Sequence, residues 1–389
     1  MGQIRADVTT SSGHLLELVR TGRARTRGEL QELTGLSRST VGLRLDGLVR
    51  RGWLREAGST TSTGGRPPVV LQFDERHAVV LTADLDTRHA RAAVMDLGGT
   101  VLQETTGELV VAAGPVPVLD TLATWFTSLL EQAGRSLDEV AGIGLSVPGP
   151  VEFEAGVVVR PPIMPGWDEY PVIQHLRRTF DVPVVVDNDA NAMALGEHAA
   201  GYADCPAFVL VKVSTGIGAG VVIGNEVFRG IDGGAGDIGH IRVRDAGDAR
   251  CQCGSVGCLA AVASGGAVAA ALTDLGVTAR SGADVRALLT AGQPDALRLA
   301  REAGRRVGEV LATVVSVINP GVLMIAGDLA DTDFITGVNE VLYQLTLPRA
   351  TRHLKVVPAR LADQAALQGM ARLVVDEVYS PAAVDARLS

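Results

Sequence analysis

Seven short apolar runs rich in β-branched residues recur beyond residue 75, at 78–83, 90–95, 143–146, 184–186, 208–213, 221–223 and 322–325, with helical stretches between them. Strand-like runs that alternate with helices cannot be layered as all-helix or all-sheet, so the large C-terminal part is predicted to be α/β. With 389 residues, 47% of them hydrophobic, the chain can fill two or three domains and bury a large core. No repeat of solenoid length stands out. The first ten and last ten residues read as candidate tails. The absence of a leader pattern and of any run of about 18 apolar residues leads us to expect a cytoplasmic protein with no membrane partner.

The net charge of -9 is unevenly spread: residues 1–70 hold 11 Arg against 6 Asp and Glu, a local +5, which leaves the remainder at -14. A basic end on an acidic protein points nucleic acid to that end alone. There, 13–20 carries a helical apolar rhythm. Thr26 and Glu29 form a capping box for a second helix, with Leu30 and Leu33 as its expected buried face and Gly35 as its stop. Ser37 then caps a third helix that buries Val41, Leu45 and Leu48, leaving Arg38, Ser39, Thr40 and Arg44 near its start. This spacing is that of a helix-turn-helix, whose second helix enters the major groove of double-stranded DNA. Arg44 reads equally as a base or a phosphate contact. Beyond Trp53 a two-stranded wing is expected. Arg66, between glycines and prolines, suits a narrow minor groove, although the same stretch also reads as a linker. A helical protein-interaction module is the alternative for the whole segment.

The most specific chemical signal is His240 followed by Cys251, Cys253 and Cys258. One imidazole and three closely spaced thiols suit a closed tetrahedral Zn2+ site, with Gly254 and Gly257 letting the loop wrap the ion. With no open coordination position, such zinc is structural. Unliganded buried cysteines are the alternative, and Cys205 stands apart as a core or loop thiol. Elsewhere, Val186-Asp187-Asn188-Asp189-Ala190-Asn191 carries polar side chains from a strand end into a helix, where they could grip hydroxyls or simply cap the helix. The glycine-rich turn 214–220 could expose amides to a phosphate or be a plain hairpin.

Together, the SVPGP and MPGW stretches, DNDAN, STGIGAG, GDIGH, the cysteine loop and the N-terminal Gly-Arg-Pro exit resemble the ROK family of repressors and sugar kinases. That resemblance implies a winged helix-turn-helix over 1–75 and a two-lobed actin-like, sugar-kinase-like domain over 76–389, assembled as a homodimer or homotetramer. It implies sugar contacts from Gly149, Asn188, Asp189, Asp237 and His240, with Asp189 at the position of the kinase base. Two departures bear on the sugar: Ala260 stands where the family has Glu, and Ile163 where it has Asn.

Family kinases open the large domain with Asp-x-Gly-Gly-Thr. Here the aligned turn is Asp84-Leu85-Asp86-Thr87-Arg88, which puts a carboxylate where phosphates belong, and Asp328 replaces a second glycine near the adenosine side. The sequence 96–100, which imitates the kinase motif, is assigned to an ordinary hairpin. The expectation is therefore a regulator of carbohydrate metabolism, probing operator DNA and a sugar effector, with no catalytic residue and Asp189 vestigial. A sugar kinase with an added DNA-binding end and a zinc-stabilised scaffold are the rival readings.

Overall fold

The computed structural model describes residues 10–59 and 69–389. Three helices come first, α1 (Ser12–Arg20), α2 (Arg27–Thr34) and α3 (Arg38–Arg50), then an antiparallel ribbon of β1 (Leu54–Ser59) and β2 (Val69–Phe73). Their ends are set by local chemistry. The Ser11 side chain accepts from the His14 N–H at the head of α1. Thr26 and Glu29 cap α2 reciprocally, and Gly35 closes it in the left-handed conformation. Leu15, Leu16, Leu30, Val41, Leu45 and Leu48 are fully buried, each contributing about 1.5–3 kcal/mol by removal from water. Leu33 departs from expectation: it is 52% exposed, because an eight-residue helix presents only a narrow inner stripe, and Leu30 fills it.

The rest is built on two five-stranded sheets of matching design. In the first, β3 (Val79–Leu85), β4 (His89–Asp96) and β5 (Val101–Glu108) form an antiparallel meander, and β6 (Val140–Val147) and β9 (Val184–Asn188) extend it in parallel, in the order β5-β4-β3-β6-β9. In the second, β10 (Ala207–Val213), β11 (Ile217–Ile223) and β12 (Glu226–Val227) form the meander, and β13 (Val322–Ala326) and β14 (Lys355–Pro358) the parallel extension, in the order β12-β11-β10-β13-β14. All seven predicted apolar runs fall on these strands. Between β6 and β9 lies a small ribbon of β7 (Val151–Glu152) and β8 (Val157–Val158).

Helix α4 (Pro115–Ala133) covers the first sheet, with α5 (Val172–Leu176) beside it. The outer face of the second is covered by α7 (Leu259–Ala263), α8 (Gly265–Asp274), α9 (Gly282–Thr290), α10 (Pro294–Ile318) and α11 (Thr332–Leu345), and the short α12 (Pro348–Thr351) precedes β14. Two helices join the lobes: α6 (Asp189–Gly201), which springs directly from β9, and α13 (Ala365–Val378). They pack backbone against backbone at two glycines. A Cβ on Gly369 would lie 1.8 Å from the Ala192 carbonyl oxygen, and one on Gly196 would lie 2.0 Å from that of Ala365, so both positions require glycine.

The last ten residues are not a tail. They form α14 (Pro381–Leu388), capped by Ser380 and docked on α1. Asp385 accepts from the Gly13 N–H at 2.8 Å, and Arg20 pairs with Asp376 at 2.6 Å. A Cβ on Gly13 would come within 2.2 Å of the Pro381 carbonyl oxygen. Trp53 meets Tyr379 edge-on at 6.0 Å, and the Arg387 guanidinium lies over both rings. His77 Nδ1 donates to the Asp74 carbonyl, which leaves Nε2 to accept from the Tyr379 hydroxyl at 2.6 Å. Burial holds this imidazole below its ordinary pKa. The apolar core of the three helices is thereby continuous with the core beneath the first sheet.

Candidate functional site

A cleft of about 550 Å³ opens between the two sheets. It lies within the usual range for small-molecule sites. The β9–α6 junction forms its floor, because a strand that runs straight into a helix leaves polar side chains at the mouth between layers. Asn188 is the N-cap of α6: its side-chain oxygen accepts from Ala190 N–H at 2.9 Å, and its Nδ2 donates to the Gly149 carbonyl at 3.0 Å. Both the capping role and the link to Gly149 thus fall on one residue. Asp187 is buried behind it, bound by Arg229 at 2.6 Å and by Asn191 at 3.0 Å. Arg229 also stacks on Phe153 at 3.6 Å.

Asp189 faces the cavity and receives the Lys212 ammonium at 2.6 Å. Lys212 comes from the opposite lobe. Burial works to lower its pKa, but the Asp189, Asp86 and Asp84 carboxylates raise it well above the usual lysine range. Asp84, which accepts from the Ser146 hydroxyl, is pushed up to about 6 by burial.

The β3–β4 turn brings Asp86, Thr87 and Arg88 to the cleft, and the glycine-rich β10–β11 turn brings Ser214 to Gly218. The sequence 96–100 lies elsewhere, as the β4–β5 hairpin turn, with Asp96 accepting from the Gly98 and Thr100 amides. Asp328 does not line the cleft directly. Its carboxylate abuts Gly282, where a Cβ would meet it at 2.3 Å, and burial raises its pKa. Ile163 and Ala260, the two departures from the family pattern, both line the cavity.

Asp237 and His240 stand on the far wall, on a single 3-10 turn (Ile238–His240). Burial raises the Asp237 carboxyl above its ordinary value. Gly236 makes that turn possible: its φ is +105°, and a Cβ there would lie 1.9 Å from the Ala219 carbonyl oxygen. His240 Nδ1 turns toward Cys251 Sγ at 3.6 Å, and Cys253 Sγ lies 3.8 Å from Cys258 Sγ. Tetrahedral zinc, with bonds of about 2.3 Å to sulfur and about 2.0 Å to nitrogen, needs ligand separations of about 3.6–3.8 Å. All four ligand atoms lie within 4.8 Å of one another, so the set fits a metal. The loop bends at Gly254 and Gly257, both at positive φ as expected. The Ser255 amide pulls the Cys253 thiol down to about 6, while burial and the neighbouring thiols push Cys258 up to about 12.

At the N-terminal end, Arg38 and Ser39 are exposed on α3. The Ser37 hydroxyl is shared among the Thr40 amide, the Ser39 hydroxyl and the Thr40 hydroxyl. Arg44 is half-buried in a pocket with Ser12, Arg50, Arg51 and Leu388, and its Nη1 is buried with no hydrogen-bond partner. Arg66 lies outside the described residues. The sequence reading missed Leu43, 73% exposed on α3, and it missed Lys212 and Arg280 in the cleft.

A putative xylose repressor from Caldicellulosiruptor sp. (strain Rt8B.4) is 29% identical, with 94% of this chain and 95% of that protein covered. Among solved structures, a ROK family transcriptional regulator homologous to the Escherichia coli MLC protein superposes with a TM-score of 0.83 at 26% identity, covering 98% of this chain and 99% of its own. A ROK family glucokinase from Streptomyces griseus, solved with glucose and AMPPNP, gives 0.65 at 27% identity and covers 76% of this chain and 99% of its own. The model of the ROK family matches residues 80–377, and the chain therefore belongs to the ROK family.

Proposed function

We propose that this chain is a sugar-responsive transcriptional repressor. Residues 1–75 are its winged helix-turn-helix on double-stranded operator DNA, and residues 76–389 are a two-lobed actin-like effector domain that binds a sugar or sugar derivative between the lobes. The observation that carries the reading is coverage. The regulator of known structure spans 98% of the chain, whereas the glucokinase leaves about a quarter of it unmatched.

In this reading Arg38, Ser39 and Thr40 meet DNA at the start of α3, with Ser37 holding the helix N-terminus, Arg44 a phosphate or base contact and Arg66 the wing contact. Gly149, Asn188, Asp189, Asp237 and His240 contact the sugar. His240, Cys251, Cys253 and Cys258 hold a structural Zn2+ that fixes the wall carrying Asp237. The protein acts as a homodimer or homotetramer, in the cytoplasm. Sugar draws the lobes together and so changes the spacing of two DNA-binding units on their half-sites.

Phosphoryl transfer is not part of the function. Asp86 brings a carboxylate to the turn where a nucleotide's phosphates would lie, and transfer depends on positioning phosphate and metal. The test is thermal stability against sugars and sugar phosphates, with and without ATP and magnesium, followed by operator binding with each hit. A sugar-only shift that changes operator affinity supports the repressor. A shift that needs ATP, with phosphorylated product, replaces it with a kinase.

A further inference from the structure

Asp189 and Lys212 meet across the lobes. Asp189 heads α6 at the end of the first sheet, and Lys212 rises from β10 in the middle of the second. One carboxylate oxygen of Asp189 accepts from the Ala190 amide at 2.7 Å, and the other accepts from the Lys212 ammonium at 2.6 Å. The carboxylate is therefore anchored at both ends. It cannot take a proton from a ligand hydroxyl as a free base without breaking the ion pair.

The pair still has capacity. An ammonium has three N–H donors, and a carboxylate about four acceptor sites. Among the described residues Lys212 spends a single donor, on Asp189, and both side chains border the cleft. The lysine is held as a cation by the surrounding carboxylates. A donor and an acceptor sit side by side with no net charge between them. Neighbouring hydroxyls on a sugar ring offer the complementary pattern, one donating to Asp189 and the next accepting from Lys212.

We propose that Lys212 and Asp189 form a paired donor and acceptor that grips a vicinal diol of the effector, and that Lys212 sets which sugar hydroxyl pattern is accepted. This rests on the sugar-responsive reading above and deepens it, because the two halves of the pair belong to different lobes. A diol bound to both registers the separation of the lobes directly. Lys212 is a specificity residue here, with no role in proton transfer.

The experiment is calorimetric binding of D-xylose, D-glucose and their monodeoxy analogues to the full-length protein, as wild type, Lys212→Met and Lys212→Gln. In the wild type, removal of either of two adjacent hydroxyls is expected to weaken binding about tenfold or more, the usual loss for a hydrogen bond to a charged group. In Lys212→Met one of those two penalties should shrink to about twofold or less while the other persists, which a merely structural role would not produce. If Lys212→Met does not fold, Lys212→Gln, which replaces the charged donor with a neutral amide, should reduce that same single penalty and leave the other unchanged. Identical deoxy-sugar penalties in wild type and variants overturn the role of Lys212 while leaving the effector reading intact. A wild type that binds no sugar at all overturns both.

Discussion

Replacing Cys253 by Ser should release the cysteine loop from the second lobe. Residues 247–257 number eleven, and the only residue among them classed as buried is Gly257; Val256 is 38% exposed. Fixing such a segment costs about 1.4 kcal/mol per residue, or about 15 kcal/mol. Five backbone hydrogen bonds anchor it, through the amides of Val243, Ala249, Cys251, Gly254 and Gly257. At about 1 kcal/mol each they return about 5 kcal/mol. The remaining deficit of about 10 kcal/mol is at the lower end of what a structural zinc site supplies. Cys253→Ser, or chelation of the wild type, therefore should leave the loop unfolded while the apolar core of the second lobe persists. Trypsin reads this directly, since Arg250 is exposed in the middle of the segment. Cleavage there should accelerate at least about a hundredfold in the variant, with a lower melting temperature and loss of one zinc per chain by elemental analysis. Wild-type protein that carries no metal, and is cut at Arg250 as fast as the variant, would refute the zinc assignment.

Arg38→Ala should weaken operator binding about tenfold to a hundredfold in fluorescence anisotropy; if Arg38 meets phosphate, the log-salt slope falls by about 1, and if it meets a base, selectivity at one position relaxes. Gly369→Val should lower stability by about 3 kcal/mol in urea unfolding, because the new side chain must push α13 away from Ala192. Asp84 has its folded pKa raised from 3.8 to about 6, so the folded state holds more protons between those values. Its contribution is complete below 3.8 and is lost as pH rises through about 6, roughly 3 kcal/mol in all. Asp84→Asn should flatten that part of the stability profile.

What was legible in the sequence was short-range. Thr26 with Glu29, Ser37, Gly35 and the cysteine spacing each declare themselves within a dozen residues, and the seven apolar runs are strands because branched side chains fit a sheet buried on both faces. The hairpin identity of 96–100 followed from its place after the second apolar strand, where the family resemblance implies an ordinary hairpin turn. What was not legible depends on the tertiary fold. Lys212 sits in Val-Leu-Val-Lys-Val, where a strand's alternation reads it as a solvent-facing residue; its acidic partner lies 23 positions away and meets it only when two sheets are stacked. Leu33 matches the helical period of Leu30, yet the neighbouring elements leave it outside. The last ten residues look like a tail because the apolar side chains of α14 are mostly alanine, with Val384 and Leu388 its only large ones, and the helix is fixed by contacts from Gly13, Arg387 and Tyr379.

That docking sets an order of events during synthesis. The three helices are translated more than three hundred residues before the surface that seats them, which is completed by Asp376, Tyr379, Asp385 and Arg387. Until then the three helices hang on an unfinished mount. They take their final position only once 376–387 have been made, so a chain cut short before Asp376 would carry three helices severed from the sheets they report to.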